Sequence, residues 1–240
     1  MSRNFEELDY RETPLGPLIL QRRRVAMLDD LEVHEVKLGN EYLMSSLFHD
    51  AEVALTRLGL AASNGTQLEV AVGGLGLGYT AHAALEDSRV RSLLVVDALE
   101  DVIRWHQAGL VPLGAGLSAD VRCRFVHADF FAKVRAGDLD PETPGRKFDV
   151  ILLDIDHAPD FLLHASHGAF YTPEGLRQVA GLLKPRGVFA MWSDGEANPA
   201  FLASLEEVFA DARAEMVRFE NPLQDGESSS TVYVAKRRES

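Results

Sequence analysis

The sequence predicts an α/β protein built on a doubly wound, seven-stranded sheet whose last strands form an antiparallel hairpin. Five short apolar runs, residues 68–72, 93–96, 123–126, 150–153 and 188–192, are continuous rather than alternating. Strands covered on both faces read that way, which is the habit of a parallel sheet with helices on each side. After them come two β-like runs, 215–219 and 231–235, around the polar loop 221–230. They supply the antiparallel finish.

The chain before this pattern reads differently. Short β-like runs at 18–20, 25–27 and 33–36 are separated by Pro, Gly and Asp. A helix is expected over about 45–60, where Leu47, Ala51, Val53, Ala54, Leu58 and Leu60 recur near a helical period. Residues 61–65, Ala-Ala-Ser-Asn-Gly, form the loop out of it. This divides the chain into a small β-rich region with a linking helix, 1–65, and a main domain, 66–240. Later helices carry clear end signals. Thr172 stands before Pro173 and Glu174, and Asn198 before Pro199. Each pair offers a capping side chain followed by a first-turn proline.

Composition excludes several classes. With 46% apolar and 25% charged residues among 240, the chain can bury a full core and does not read as disordered. No apolar run approaches the roughly 20 residues of a membrane span, and residues 1–7 lack the apolar stretch of a secretory leader. A single cysteine, Cys123, permits no internal disulfide and fits a reducing compartment, so a cytoplasmic location is expected. The net charge of −13 argues against a nucleic-acid partner. It suits a cationic small molecule. Arg22-Arg23-Arg24, flanked by acids, reads as a solvated turn or strand edge.

The chemistry gathers around Gly73-Gly74-Leu75-Gly76-Leu77-Gly78, which runs from the first apolar strand into a small-residue helix. Glycines are needed where a ligand and a turning backbone pass closer than a Cβ permits, and the helix start offers free N–H groups. Asp97, with Ala98 after it, ends the next strand, where an acid can accept from ribose hydroxyls. The spacing departs from the dinucleotide fingerprint, because Tyr79 stands where its third glycine belongs, and suits a nucleoside without a pyrophosphate. Asp129 follows the third strand and precedes Phe130; a carboxylate and a ring there suit an adenine. Asp154 ends the fourth, followed by Asp156 and His157. Three acids at the carboxyl ends of three strands converge on one crevice.

These pieces resemble the spermidine synthase-like branch of the class I S-adenosylmethionine-dependent methyltransferase fold, which is Rossmann-like. The matching segments are 72–78, 96–103, 128–129 and 148–154. The resemblance implies S-adenosylmethionine or its decarboxylated form as cofactor, held by Gly73, Gly74, Leu75, Gly76, Gly78, Asp97, Ala98, Asp129, Phe130 and Asp154. It implies Asp154, with Asp156 or His157, beside the reacting amine, and pairing of two copies through the N-terminal region. Spermidine synthases carry an aspartate inside the glycine loop, where this chain has Gly76, and an acid before proline, where it has His157-Ala158-Pro159. The polyamine half therefore departs from the pattern. Methyl transfer to a small-molecule acceptor, an amine among the candidates, is the leading expectation. Aminopropyl transfer by a spermidine synthase is the first alternative, and a non-catalytic nucleoside-binding module the second. Asp154, Asp156, His157, His164 and His167 match no metal signature, and no metal is expected. Ser193, Asp194, Tyr171 and Gln224 are candidate acceptor-pocket residues, whereas Trp192 reads as core or crevice wall and Trp105 as packing.

Overall fold

Alternate residues of the apolar strands belong to two different cores, one on each face of a single sheet. The structure is a computed structural model describing residues 5–13, 16–39, 41–155, 157–223 and 226–239. The main sheet contains β5 (Leu68–Gly73), β6 (Val90–Asp97), β7 (Cys123–His127), β8 (Phe148–Leu153), β9 (Leu183–Asp194), β10 (Ala210–Glu220) and β11 (Glu227–Lys236). Their order is β10-β11-β9-β8-β5-β6-β7, with β5 to β9 parallel and β11 antiparallel to both neighbours. Chain order runs one way from β5 to β7 and the other way from β8. The crevice between β5 and β8 is the switch point at which open α/β sheets hold ligands.

Val70, Val72, Val95 and Leu152 join one core with residues of α1 (Asp50–Ala61), α2 (Tyr79–Glu86), α3 (Glu100–Gln107) and α4 (Gly114–Ala119). Ala71, Leu94, Ile151 and Leu153 join the other, with α5 (Phe130–Arg135), α6 (Pro173–Leu182) and α7 (Pro199–Val208). Double winding thus accounts for the continuous apolar runs. The expected caps form: Thr172 Oγ1 accepts from Gly175 N–H at 3.3 Å, and Asn198 Oδ1 from Ala200 and Phe201 N–H. No helix of the described residues is long and apolar enough to cross a membrane.

The N-terminal region is a four-stranded antiparallel sheet, β1 (Phe5–Thr13), β2 (Gly16–Val25), β3 (Leu31–Leu38) and β4 (Glu41–Ser45). Its Leu18, Leu20 and Val36 enter the same core as α1 to α4, and Trp105 Nε1 on α3 donates to Asp9 Oδ2 on β1 at 2.7 Å. Two expectations need correction. Residues 26–28 form a 3-10 turn rather than strand, and the expected helix over 45–60 starts only at Asp50, because β4 runs to Ser45 and a turn follows it. α1 crosses close over the sheet at Gly59, where a Cβ would meet Leu152 Cδ2 at 2.6 Å.

Candidate active site

The turn after β5 works through three left-handed glycines, Gly74, Gly76 and Gly78, with φ of +94°, +48° and +93°. Gly74 N–H donates to Val96 O and Asp154 N–H to Gly73 O, each at 2.9 Å, so the ends of β5, β6 and β8 are laced together. A Cβ on Gly74 would run into the carbonyl oxygen of Asp154, which is backbone and cannot give way. Gly74→Ala is expected to destabilise the fold by about 2–5 kcal/mol, combining left-handed strain with overpacking. Calorimetry reads this directly; an unchanged unfolding midpoint would show that the turn relaxes freely.

Asp97 clasps the turn from the neighbouring strand. Its Oδ2 accepts from Leu75 N–H and its Oδ1 from Leu99 N–H, both at 2.7 Å. Burial raises its carboxyl pKa, against the lowering effect of backbone N–H groups of Leu99, Leu75 and Gly76. From behind, buried His106 donates through Nε2 to Gly76 O at 2.8 Å. Burial holds this imidazole below its ordinary pKa, and its Nδ1 has no hydrogen-bond partner among the described residues. Met44 of β4 covers the turn from the front, its sulfur accepting from Leu77 N–H at 2.9 Å and its methyl lying where a Gly76 side chain would go.

In front of the turn opens a cleft of about 1040 Å³, bounded by the N-terminal sheet, the carboxyl ends of the parallel strands and the final hairpin. Gly74, Gly76, Asp97, Ala98, Asp129, Phe130, Asp154 and His157 all line it. Gly73, Leu75 and Gly78 do not. They are buried and shape the turn from within; a Cβ on Gly73 would meet Phe130 at 2.8 Å. Phe130 is only 1% exposed and sits edge-on to Phe131 and Phe170, supporting the turn more than facing the cleft. Asp129 caps α5, its Oδ1 accepting from Ala132 N–H at 3.0 Å. Asp156 and Gln224 lie outside the described residues. Asp194 and Trp192 line the cleft, but Ser193 is 1% exposed and Tyr171 packs in the core against Phe131, Phe170 and Phe201, so neither lines it as expected. Burial pushes the Cys123 thiol up to about 12, away from nucleophilic use.

The cleft floor holds an acidic pair that the sequence did not reveal. Asp154 Oδ2 accepts from Thr80 Oγ1 at 2.7 Å, and Thr80 O accepts from Thr56 Oγ1 of α1 at 3.0 Å. Glu52, one helical turn before Thr56, faces the cleft with Asp154. Burial pushes Asp154 up to about 6. Burial, reinforced by the charge of Asp154, pushes Glu52 up to about 8. Near neutrality the two carboxyls therefore hold about one proton between them. Beside them the Tyr79 ring stacks on His49, centroids 4.3 Å apart, and Tyr79 hydrogen-bonds Ser46.

His157 stands at the cleft wall, 3.8 Å from the Glu41 carboxylate and stacked on Phe161 with centroids 5.0 Å apart. His167 stacks on Phe131 at 4.0 Å, and its centroid lies 5.9 Å from that of His164. Among the described residues, no three His, Cys, Asp or Glu side chains gather as metal ligands would.

The strand order, the glycine turn and the acids at the strand ends define the class I methyltransferase fold. An additional antiparallel N-terminal sheet extends that fold, and solved spermidine synthases superpose on 96% of the chain. No protein-family model matches the chain. Over 122 residues it is 30% identical to the polyamine aminopropyltransferase of Pyrobaculum islandicum, a match covering 50% of this chain and 39% of that protein. The match thus spans about two fifths of the relative's length. A spermidine synthase solved with the transition-state analogue AdoDATO superposes with a TM-score of 0.71 at 16% identity, covering 96% of this chain and 72% of that one. The spermidine synthase of Thermotoga maritima gives 0.70 at 15% identity with the same coverage. Human methyltransferase-like protein 13, solved with SAH, gives 0.59 at 19% identity, covering 79% of this chain and 82% of that one.

Proposed function

We propose that this protein transfers the aminopropyl group of decarboxylated S-adenosylmethionine to an amine. The observation that carries this reading is the pairing, in one cleft, of an Asp97-clasped glycine turn with the half-buried Asp154 and Glu52 carboxyls. The 30% identical aminopropyltransferase supports it. In this reading residues 66–240 hold the nucleoside and residues 1–65 close the acceptor end. Asp97 accepts from a ribose hydroxyl, Asp129 faces the adenine amine beside Ala98, and Gly74 and Gly76 let the donor approach the backbone.

Transfer is an in-line displacement at carbon. The acceptor ammonium first gives a proton to a carboxylate of the Asp154–Glu52 pair, since only the neutral amine carries a nucleophilic lone pair. The amine nitrogen then bonds to the sulfur-bound carbon of the donor's aminopropyl group as that carbon–sulfur bond breaks, and the electron pair stays on sulfur as the neutral thioether. Orientation within the cleft supplies much of the acceleration. This ranking departs from the sequence-based expectation, which put methyl transfer first.

Methyl transfer remains the second reading, for one reason. Gly76, standing where spermidine synthases carry their amine-binding aspartate, lies beneath Met44. The test is thermal unfolding with S-adenosylmethionine, its decarboxylated form, S-adenosylhomocysteine, methylthioadenosine and NAD. A ligand at 100 times its dissociation constant adds about 2.7 kcal/mol, a shift of several degrees. The decarboxylated donor and methylthioadenosine are expected to give the largest shifts. Larger shifts with S-adenosylmethionine and S-adenosylhomocysteine would establish the methyl reading, and silence with every adenosyl ligand would overturn both.

A further inference from the structure

The three consecutive arginines, expected together at a solvated turn or strand edge, have three different fates. Arg22 pairs with Glu6 at 2.7 Å and Glu32 at 3.5 Å, and Arg24 reaches Glu32 at 3.9 Å from a half-exposed position. Arg23 instead lines the cleft. Its Nε donates to Glu35 Oε1 at 2.8 Å, while Glu35 Oε2 accepts from Gln21 Nε2 at 2.7 Å. Glu35 is 3% exposed and Gln21 4%, so one oxygen of a buried acid holds the guanidinium while Gln21 fixes the other. The terminal nitrogens of Arg23 have no hydrogen-bond partner among the described residues.

A buried ion pair contributes little net stability over an apolar pair of similar volume, so packing does not explain this arrangement. Nor does general electrostatics. Arg23 is the sole Lys or Arg among the described cleft residues, which otherwise present Glu52, Asp97, Asp129, Asp154 and Asp194. A cleft for a simple diamine gains nothing from a fixed cation. A guanidinium anchored through Nε keeps its two-nitrogen edge for a planar anion, and the bidentate carboxylate is the match to that geometry.

We infer that Arg23 is a carboxylate-binding residue of the cleft, oriented by Glu35 and Gln21. The inference rests on the reading of this cleft as an adenosyl-transfer site. Two sources offer the carboxylate: an acceptor that is an amino carboxylate rather than a diamine, or, in the methyl-transfer reading, the methionyl end of an undecarboxylated donor.

Isothermal titration of wild type, Arg23→Gln and Arg23→Lys separates them. Methylthioadenosine, which has no carboxylate, is expected to bind all three alike, which also shows that the variants are folded. If the donor is the source, Arg23→Gln weakens S-adenosylhomocysteine by about tenfold to a hundredfold. If the acceptor is the source, γ-aminobutyrate binds the methylthioadenosine complex of wild type more tightly than putrescine does, and Arg23→Gln reverses that order. Arg23→Lys recovers part of either loss, because it keeps the charge without the fork. The inference is overturned if carboxylate ligands stay within about threefold of wild type in Arg23→Gln, or if methylthioadenosine weakens equally. Failure of wild type to bind any adenosyl ligand would instead overturn the proposed function, and this inference with it.

Discussion

Asp154→Asn is expected to lower turnover by about two to four orders of magnitude while leaving nucleoside affinity within a few-fold of wild type. Asparagine preserves the shape and can still accept the Thr80 hydroxyl bond made by Asp154 Oδ2. It removes the basic oxygen that takes the acceptor's proton. Steady-state turnover and methylthioadenosine titration on the same preparation separate the two effects. Undiminished turnover would remove Asp154 from the chemistry, whereas joint loss of turnover and binding would make it a structural clasp.

Glu52→Gln is expected to stabilise the protein at alkaline pH and to leave it unchanged near pH 5. Glu52 is held up at about 8 by burial and by Asp154, well above the ordinary glutamate value of 4.5. A carboxyl raised in this way binds more protons folded than unfolded, so folding is favoured at low pH. That advantage is lost as pH climbs from the ordinary value through the folded one. Glutamine mimics the protonated form at every pH. The variant should gain on the order of a few kcal/mol above about pH 8, readable as a midpoint several degrees higher. Equal midpoint differences at about pH 5 and about pH 9 would show that Glu52 does not titrate this way. Binding of an ammonium acceptor to wild type near neutrality should release a proton, detectable by calorimetry in buffers of different ionisation enthalpy.

Much of this site was legible because its signals are local. Gly74 must be glycine for a backbone reason, a left-handed turn against Asp154 O, and such reasons leave a mark in sequence. Asp97 sits at a strand end, and strand ends can be read from apolar runs. β1 escaped because a mostly polar, partly exposed strand shows no apolar run. β4 escaped because its short run Tyr42, Leu43 and Met44 shows no alternation to mark a strand. Glu52 read as the polar face of a helix, and Arg23 as one of three solvated arginines. Neither residue has a neighbour in sequence that announces its role.

By itself, then, the sequence determined the doubly wound sheet, its antiparallel finish, the glycine turn and the acids at three strand ends. Each follows from hydrophobic period, cap chemistry or backbone sterics acting over a few residues. Tertiary structure alone decided that α1 brings Glu52 beside Asp154, that β4 lays Met44 over Gly76, and that β2 turns Arg23 into the cleft. Those juxtapositions depend on how the N-terminal sheet docks on the main one. Docking is settled by the summed packing of Leu18, Leu20 and Val36 into the shared core, a long-range fit that no short stretch of sequence encodes.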